Sequence, residues 1–126
     1  MFAISIVCCG TGAGRILGKP GTTARAIEQL GFCSGRPLAL HTAVCVIGPA
    51  ARTLHHLDQT TLQFRSLAPE VITRYVALDQ PVDCAGAFKF EAHGAALFSA
   101  VETRDPTAIQ GLPLLWLAGA LAELGV

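Results

Sequence analysis

The stretch Asp83–Phe98, DCAGAFKFEAHGAALF, decides how the chain is read. Within it Lys89, Glu91 and His93 alternate with Phe88, Phe90 and Ala92. Successive side chains of an extended strand point to opposite faces. The two-residue beat therefore predicts a strand with Lys89, Glu91 and His93 on one face and the two phenylalanines on the other. Gly86 and Gly94 bracket it, where the chain must turn or admit a close neighbour. Two readings of the polar face stand side by side: it is solvated on a half-buried strand, or it lines a polar cleft. The apolar run Ala95–Val101 is the expected hairpin partner of Ala87–Ala92.

Working outward, the stretch Ser66–Leu78 upstream reads as a helix capped by Ser66, with Pro69 in its first turn and Val71, Ile72, Tyr75 and Val76 as its inward stripe. Asp79–Val82 is a loop. Leu38–Ile47 and Leu57–Arg65 read as the two strands of a hairpin around a Gly48–Arg52 turn. The adjacent His55 and His56 are expected in a surface loop, because consecutive strand side chains diverge and cannot share one metal. Thr22 or Thr23 caps a helix running to about Leu30, and Gly31 suits its end. Downstream of the central stretch, Thr103–Gly111 is a polar loop and Leu112–Leu124 a final helix opened by Pro113. At the other end, Phe2–Cys9 reads as a buried strand, followed by a glycine-rich turn over Gly10–Gly14.

Two phosphate-binding motifs fail near that turn. A dinucleotide fingerprint begun at Gly10 meets Arg15 where glycine is needed. A P-loop anchored on Gly18-Lys19 meets Ala13 in place of glycine and Pro20 in place of Ser or Thr. A glycine-rich turn remains, carrying Lys19, whose backbone Pro20 restricts. Lys19 is either a solvated turn lysine or a phosphate ligand.

With 126 residues the chain suits one domain. Nine basic and nine acidic residues cancel, which gives no electrostatic reason for polymeric nucleic acid or an anionic membrane as partner. Charged residues are 14% of the chain, well below the usual ~25%. A surface this lean implies a face buried in a homodimer or a missing covering layer. The five cysteines (Cys8, Cys9, Cys33, Cys45, Cys84) form no C-x-x-C pair and read as reduced thiols of a cytoplasmic protein. Met1–Cys9 lacks a basic leader, and Leu112–Leu124 is too short to span a bilayer.

Four pieces, in order, carry a resemblance. They are Gly14-Arg-Ile-Leu-Gly-Lys-Pro20; Phe64-Arg-Ser-Leu67 followed by Tyr75; Asp83-Cys-Ala-Gly-Ala-Phe-Lys-Phe-Glu91; and Arg104-Asp-Pro106 with Gly111-Leu-Pro-Leu114. Together they resemble the Maf family of nucleoside triphosphate pyrophosphatases, in the branch acting on 7-methyl-GTP. The resemblance implies an α/β fold of Maf/ITPase-like type, a mixed, curved sheet flanked by helices, with a deep cleft. It implies hydrolysis of a nucleoside triphosphate to monophosphate and pyrophosphate with a divalent metal, Mg or Mn. It makes Lys19 the phosphate-facing, catalytic lysine, and it makes Lys89 and Glu91 substrate-binding residues that choose the base. Family members outside this branch usually carry glutamine where Glu91 stands.

The departures are as informative. The family's serine- and arginine-rich opening turn, its Glu-Thr-Pro loop and its Glu-Lys-Ala helix are absent from this sequence. Its catalytic aspartate lies twelve residues before the Gly-Lys-Pro lysine, and here that position is Val7. The expectation is one partial domain over 1–126, with 1–13 atypical and 14–126 family-like, lacking its N-terminal portion through a wrong start or a frameshift. Three functions compete: a pyrophosphatase impaired in this chain, a non-catalytic remnant keeping residual nucleotide binding or a dimer surface, and an α/β domain whose polar face is merely solvated.

Overall fold

The computed structural model describes residues 2–125, with Cys8 described by its backbone alone. Five strands form one antiparallel sheet: β1 (Ala3–Gly12), β2 (Arg15–Leu17), β3 (Pro37–Ile47), β4 (Thr53–Phe64) and β5 (Phe98–Glu102), in the spatial order β2-β1-β3-β4-β5. Three helices, α1 (Thr23–Cys33), α2 (Pro69–Asp79) and α3 (Leu114–Glu123), pack on one face of it. The mixed α/β class and all three helices are as the sequence led us to expect, with ends shifted by a few residues.

The β3–β4 hairpin is the spine. Eleven opposed pairs run from Pro37–Gln63 to Ile47–Thr53. Along β3 the buried positions are Leu38, Leu40, Thr42, Val44 and Val46, a strict two-residue beat, as for a sheet with one covered face. Those side chains divide between two cores. Leu38, Leu40, Leu62 and Phe64 pack with Ala26 and Leu30 of α1 and Ile72, Tyr75 and Val76 of α2. Val44 and Val46 pack under Leu117 of α3. Burying a leucine or phenylalanine of this kind stabilises by about 1.5–3 kcal/mol. Arg52, the last residue of the hairpin turn, makes a solvent-exposed ion pair with Glu123 at the end of α3 (2.9 Å).

Several expectations are corrected. Phe2–Cys9 falls in a strand, but not a buried one: Ile4 and Ile6 are 47% and 40% exposed and Val7 is 65% exposed. Apolar composition in the first half of β1 therefore does not translate into burial, whereas Gly10 and Gly12 in its second half are buried beside Leu38. The strand also continues through Gly10, and the hairpin turns at Ala13 and Gly14, both with positive φ. His55 and His56 lie in β4 on opposite faces rather than in a loop, and His56 stacks on Trp116 of α3 with ring centroids 4.9 Å apart. The cap of α2 is Ala68, without a side-chain bond, instead of Ser66. Thr22 does cap α1, accepting from the Arg25 amide at 3.2 Å, but α1 runs past Gly31 to Cys33.

The largest correction concerns the central stretch. Residues 87–93 are a folded loop, and Lys89, Glu91 and His93 do not share a strand face. Gly86 and Ala87 both take positive φ (82° and 62°), which breaks an extended run. Backbone groups that a ladder would have used close on themselves instead: Ala92 N–H and Gly94 N–H both donate to the Lys89 carbonyl, at 3.1 and 2.9 Å. β5 therefore starts at Phe98 and pairs with β4 rather than with 87–92. The apolar half of the pattern holds differently. Phe88 packs edge-on against Phe98 with centroids 4.9 Å apart, and Phe90 follows at 6.2 Å. Burial of these rings anchors the loop without a strand.

Candidate functional site

The loop after β2 and the folded loop 83–91 face one another across a cavity of about 510 Å³. Lys19, Asp83, Cys84, Phe88, Phe90 and Glu91 line it, as do Ile6 and Val7 of β1. The Gly21 amide donates to the Val82 carbonyl at 2.8 Å and joins the two loops behind Lys19. Lys19 and Glu91, distant in sequence, thus reach one concavity. Lys89 is not among the lining residues. Its charge, with those of Glu91, Asp83 and Lys19, still acts on the Cys84 thiol. Burial raises that thiol's pKa, the two lysines lower it and the two carboxylates raise it. His93 turns away from the cavity and binds Asp79.

Val7 is among the residues that line this cavity, but the ladder register puts its side chain on the other face of the sheet. It pairs across the ladder with Ala43, which pairs with Leu57, and directly opposed residues point the same way. Val7 and Leu57 are 65% and 69% exposed on that outer face. The position twelve residues before Lys19 therefore supplies neither a carboxylate nor a side chain directed inward.

The described residues gather no set of three or more His, Cys, Asp or Glu side chains able to hold a metal ion. Asp83 and Glu91 both line the cavity. Two carboxylates alone are too few for a cation cage made by protein, and a Mg²⁺ ion held by one or two carboxylates takes its remaining ligands from water or a bound phosphate.

A second cavity of about 540 Å³ lies at the other end of the sheet, among His56, Asp58, Arg104, Asp105 and Trp116. It contains none of Lys19, Lys89, Glu91 or Val7. Asp105, in the Arg-Asp-Pro piece, is spent on structure. Its Oδ1 accepts from the Thr107 amide at 3.0 Å and its Oδ2 from the Leu115 amide at 2.9 Å, joining the turn Pro106–Gln110 to the start of α3. Burial would raise its pKa, but these bonds, with those from the Thr107 hydroxyl and the Trp116 amide, outweigh it and hold the carboxyl below its ordinary range.

Sequence reasoning missed the partners of the central loop. Tyr75 accepts from the Lys89 amide at 2.7 Å, and Asp79 accepts from both the ring and the backbone of His93, at 2.6 and 2.9 Å. The helical stripe marked Tyr75 as apolar core, and Asp79 read as loop. Nothing local pairs either residue with the loop.

A mixed α/β domain with a cleft lined by one lysine, two carboxylates and two phenylalanines has the form of a small-molecule site. The Maf-like protein family matches residues 3–124, and the chain belongs to that family. It is 52% identical over 112 residues to a 7-methyl-GTP pyrophosphatase of Xanthomonas oryzae pv. oryzae, covering 89% of this chain and 58% of that protein. A 7-methyl-GTP pyrophosphatase of Saccharophagus degradans is 42% identical over 120 residues, with 92% and 61% covered. One of Bdellovibrio bacteriovorus is 45% identical over 108 residues, with 86% and 57% covered. The chain thus spans about three-fifths of the length of these relatives. Among the described residues no helix is long and apolar enough to cross a membrane.

Proposed function

We propose that the cleft binds a nucleoside triphosphate, 7-methyl-GTP or a related purine nucleotide, and that the lineage is that of a nucleotide pyrophosphatase. The observation that supports this most is the convergence of Lys19 and Glu91, two of the three family-matching residues, on one cavity beside Asp83. Relatives named for 7-methyl-GTP supply the base. In this reading Lys19 neutralises phosphate charge, the partly exposed Phe90 offers apolar surface to the base, and Glu91 accepts hydrogen bonds from its donor edge. Mg²⁺ or Mn²⁺, held by the phosphates with Asp83, would supply further charge neutralisation when bound. The chain is poor in turnover, because Val7 offers no carboxylate to orient an attacking water.

With the cleft open to water, screened charge pairs contribute little each. Affinity is expected at about 0.1 mM to several mM, equivalent to roughly 3 to 5 kcal/mol. Calorimetric titration of GTP, 7-methyl-GTP and UTP into the wild type, Lys19→Ala and Glu91→Gln tests the assignment. Lys19→Ala should weaken all three alike, and Glu91→Gln should change their ratios. An equal change in all three with Glu91→Gln would remove that residue from base selection.

A further inference from the structure

We infer that Tyr75, Asp79 and His93 form a clamp that positions the loop carrying Lys89 and Glu91, and so sets base preference without touching the nucleotide. The inference rests on the cleft reading above and adds positioning residues to it.

Asp79 is the last residue of α2 and its side chain is 3% exposed. A carboxylate is unfavourable there, because a helix C-terminus carries partial negative charge. Its surroundings answer this with donors. Oδ1 takes the His93 ring Nδ1 at 2.6 Å, and Oδ2 takes the His93 backbone N–H at 2.9 Å. Tyr75 lies one helical turn earlier on the same face. Burial pushes the Asp79 carboxyl up, but the bonds from His93, with the nearby Tyr75 hydroxyl, outweigh it, and its pKa lies below the ordinary value.

The same Tyr75 oxygen accepts the Lys89 amide at 2.7 Å. One face of α2 therefore grips the loop at two points, the backbone of Lys89 and the backbone and ring of His93. Glu91 lies between them. The span cannot slacken internally, because the Lys89 carbonyl is already bonded to the amides of Ala92 and Gly94. With both ends fixed to a helix packed in the main core, the direction of the Glu91 side chain into the cavity is set by α2. His93 completes the grip from the solvent side, with its side chain 63% exposed.

The test compares Tyr75→Phe, Asp79→Asn, His93→Ala and His93→Asn in the full chain, with two readouts. The first is amide hydrogen exchange at Lys89 and His93, taken relative to Leu62 in β4, which reports global opening. Losing one grip should speed exchange of these amides roughly 5- to 10-fold relative to Leu62, the equivalent of a hydrogen bond worth about 1 kcal/mol. His93→Asn keeps a side-chain donor and should recover most of the protection that His93→Ala loses. The second readout is the affinity ratio of 7-methyl-GTP to UTP, which should move toward unity in the loosened variants and recover in His93→Asn. A role confined to stability would lower the melting temperature and leave that ratio unchanged. If Tyr75→Phe does not fold, the exposed position of His93 keeps the test intact. Unchanged relative exchange in His93→Ala and Asp79→Asn would overturn the clamp, as would looser loops with an unaltered ratio. Should the wild type bind no nucleotide, the cleft reading fails and exchange alone decides the clamp.

Discussion

Gly94→Ala examines the folded loop directly. A Cβ built on Gly94 would lie 2.5 Å from the Lys89 carbonyl oxygen, 2.7 Å from its carbon and 3.2 Å from its nitrogen. All three are backbone atoms and cannot swing aside. Relief requires moving the chain, which breaks the 2.9 Å bond from the Gly94 amide to that same carbonyl. Overpacking a tight site costs about 1–3 kcal/mol, and a lost hydrogen bond adds about 0.5–1.5 kcal/mol. The sum is roughly 2–4 kcal/mol. At about 3–5 °C per kcal/mol for a domain of this size, the melting temperature should fall by roughly 6–20 °C. Gly31→Ala is the matched control. It makes the same chemical change within α1, where nothing lies within 4 Å of the added methyl. There the smaller unfolded-state entropy of alanine should stabilise by about 0.5–1 kcal/mol. Thermal and urea unfolding of the pair should therefore give opposite signs. A Gly94→Ala chain as stable as the wild type would refute the close approach, and with it the loop path.

Two further outcomes follow from the buried ionisable groups. The Cys33 thiol is pushed up to about 11 by burial, despite opposing pulls from Arg36 and Arg15. In the folded chain it should resist thiol reagents at pH 8 while half-buried Cys9 and Cys45 react, as mass spectrometry after timed alkylation would show. Asp79 and Asp105 both have carboxyls held below their ordinary range. The unfolded chain takes up these protons first, so their stabilisation is complete above about pH 4 and is lost as pH falls through the lower folded values. Urea midpoints between pH 6 and pH 3 should decline, less steeply in Asp105→Asn.

Much of this architecture is written locally. β3 and β4 alternate cleanly because one face is covered, and the helical stripes of α1 and α2 are the residues that meet in the main core. Thr22 caps because a hydroxyl before an amphipathic run meets free amides. The central loop was misread for a definite reason. FKFEAHG has strand periodicity, but the positive φ at Gly86 and Ala87 and the contact of Gly94 with Lys89 are three-dimensional facts. Phe88 is buried and Phe90 partly buried against Phe98, which supplies the drive that a strand pairing would have given. β1 erred in the other direction: Ile4, Ile6 and Val7 are apolar and exposed, and composition cannot say which part of a sheet is covered. At the site, Lys19 and Glu91 were legible through the family pattern, and their meeting in one cavity is added by the fold. Asp79 and Tyr75 were not legible, because their partners lie fourteen residues on, across a turn.

The most direct test of the central claim is pyrophosphate release from 7-methyl-GTP by the purified 126-residue chain with Mg²⁺ or Mn²⁺, measured alongside binding of the same nucleotide. A cleft that keeps Lys19 and Glu91 but has Val7 on the outer face should bind in the sub-millimolar to millimolar range. Release should fall several powers of ten short of ordinary enzymatic turnover, which is about 1–10³ s⁻¹. Robust, metal-dependent release at such rates would contradict the claim, and its loss in Glu91→Gln or Asp83→Asn would identify the carboxylate responsible.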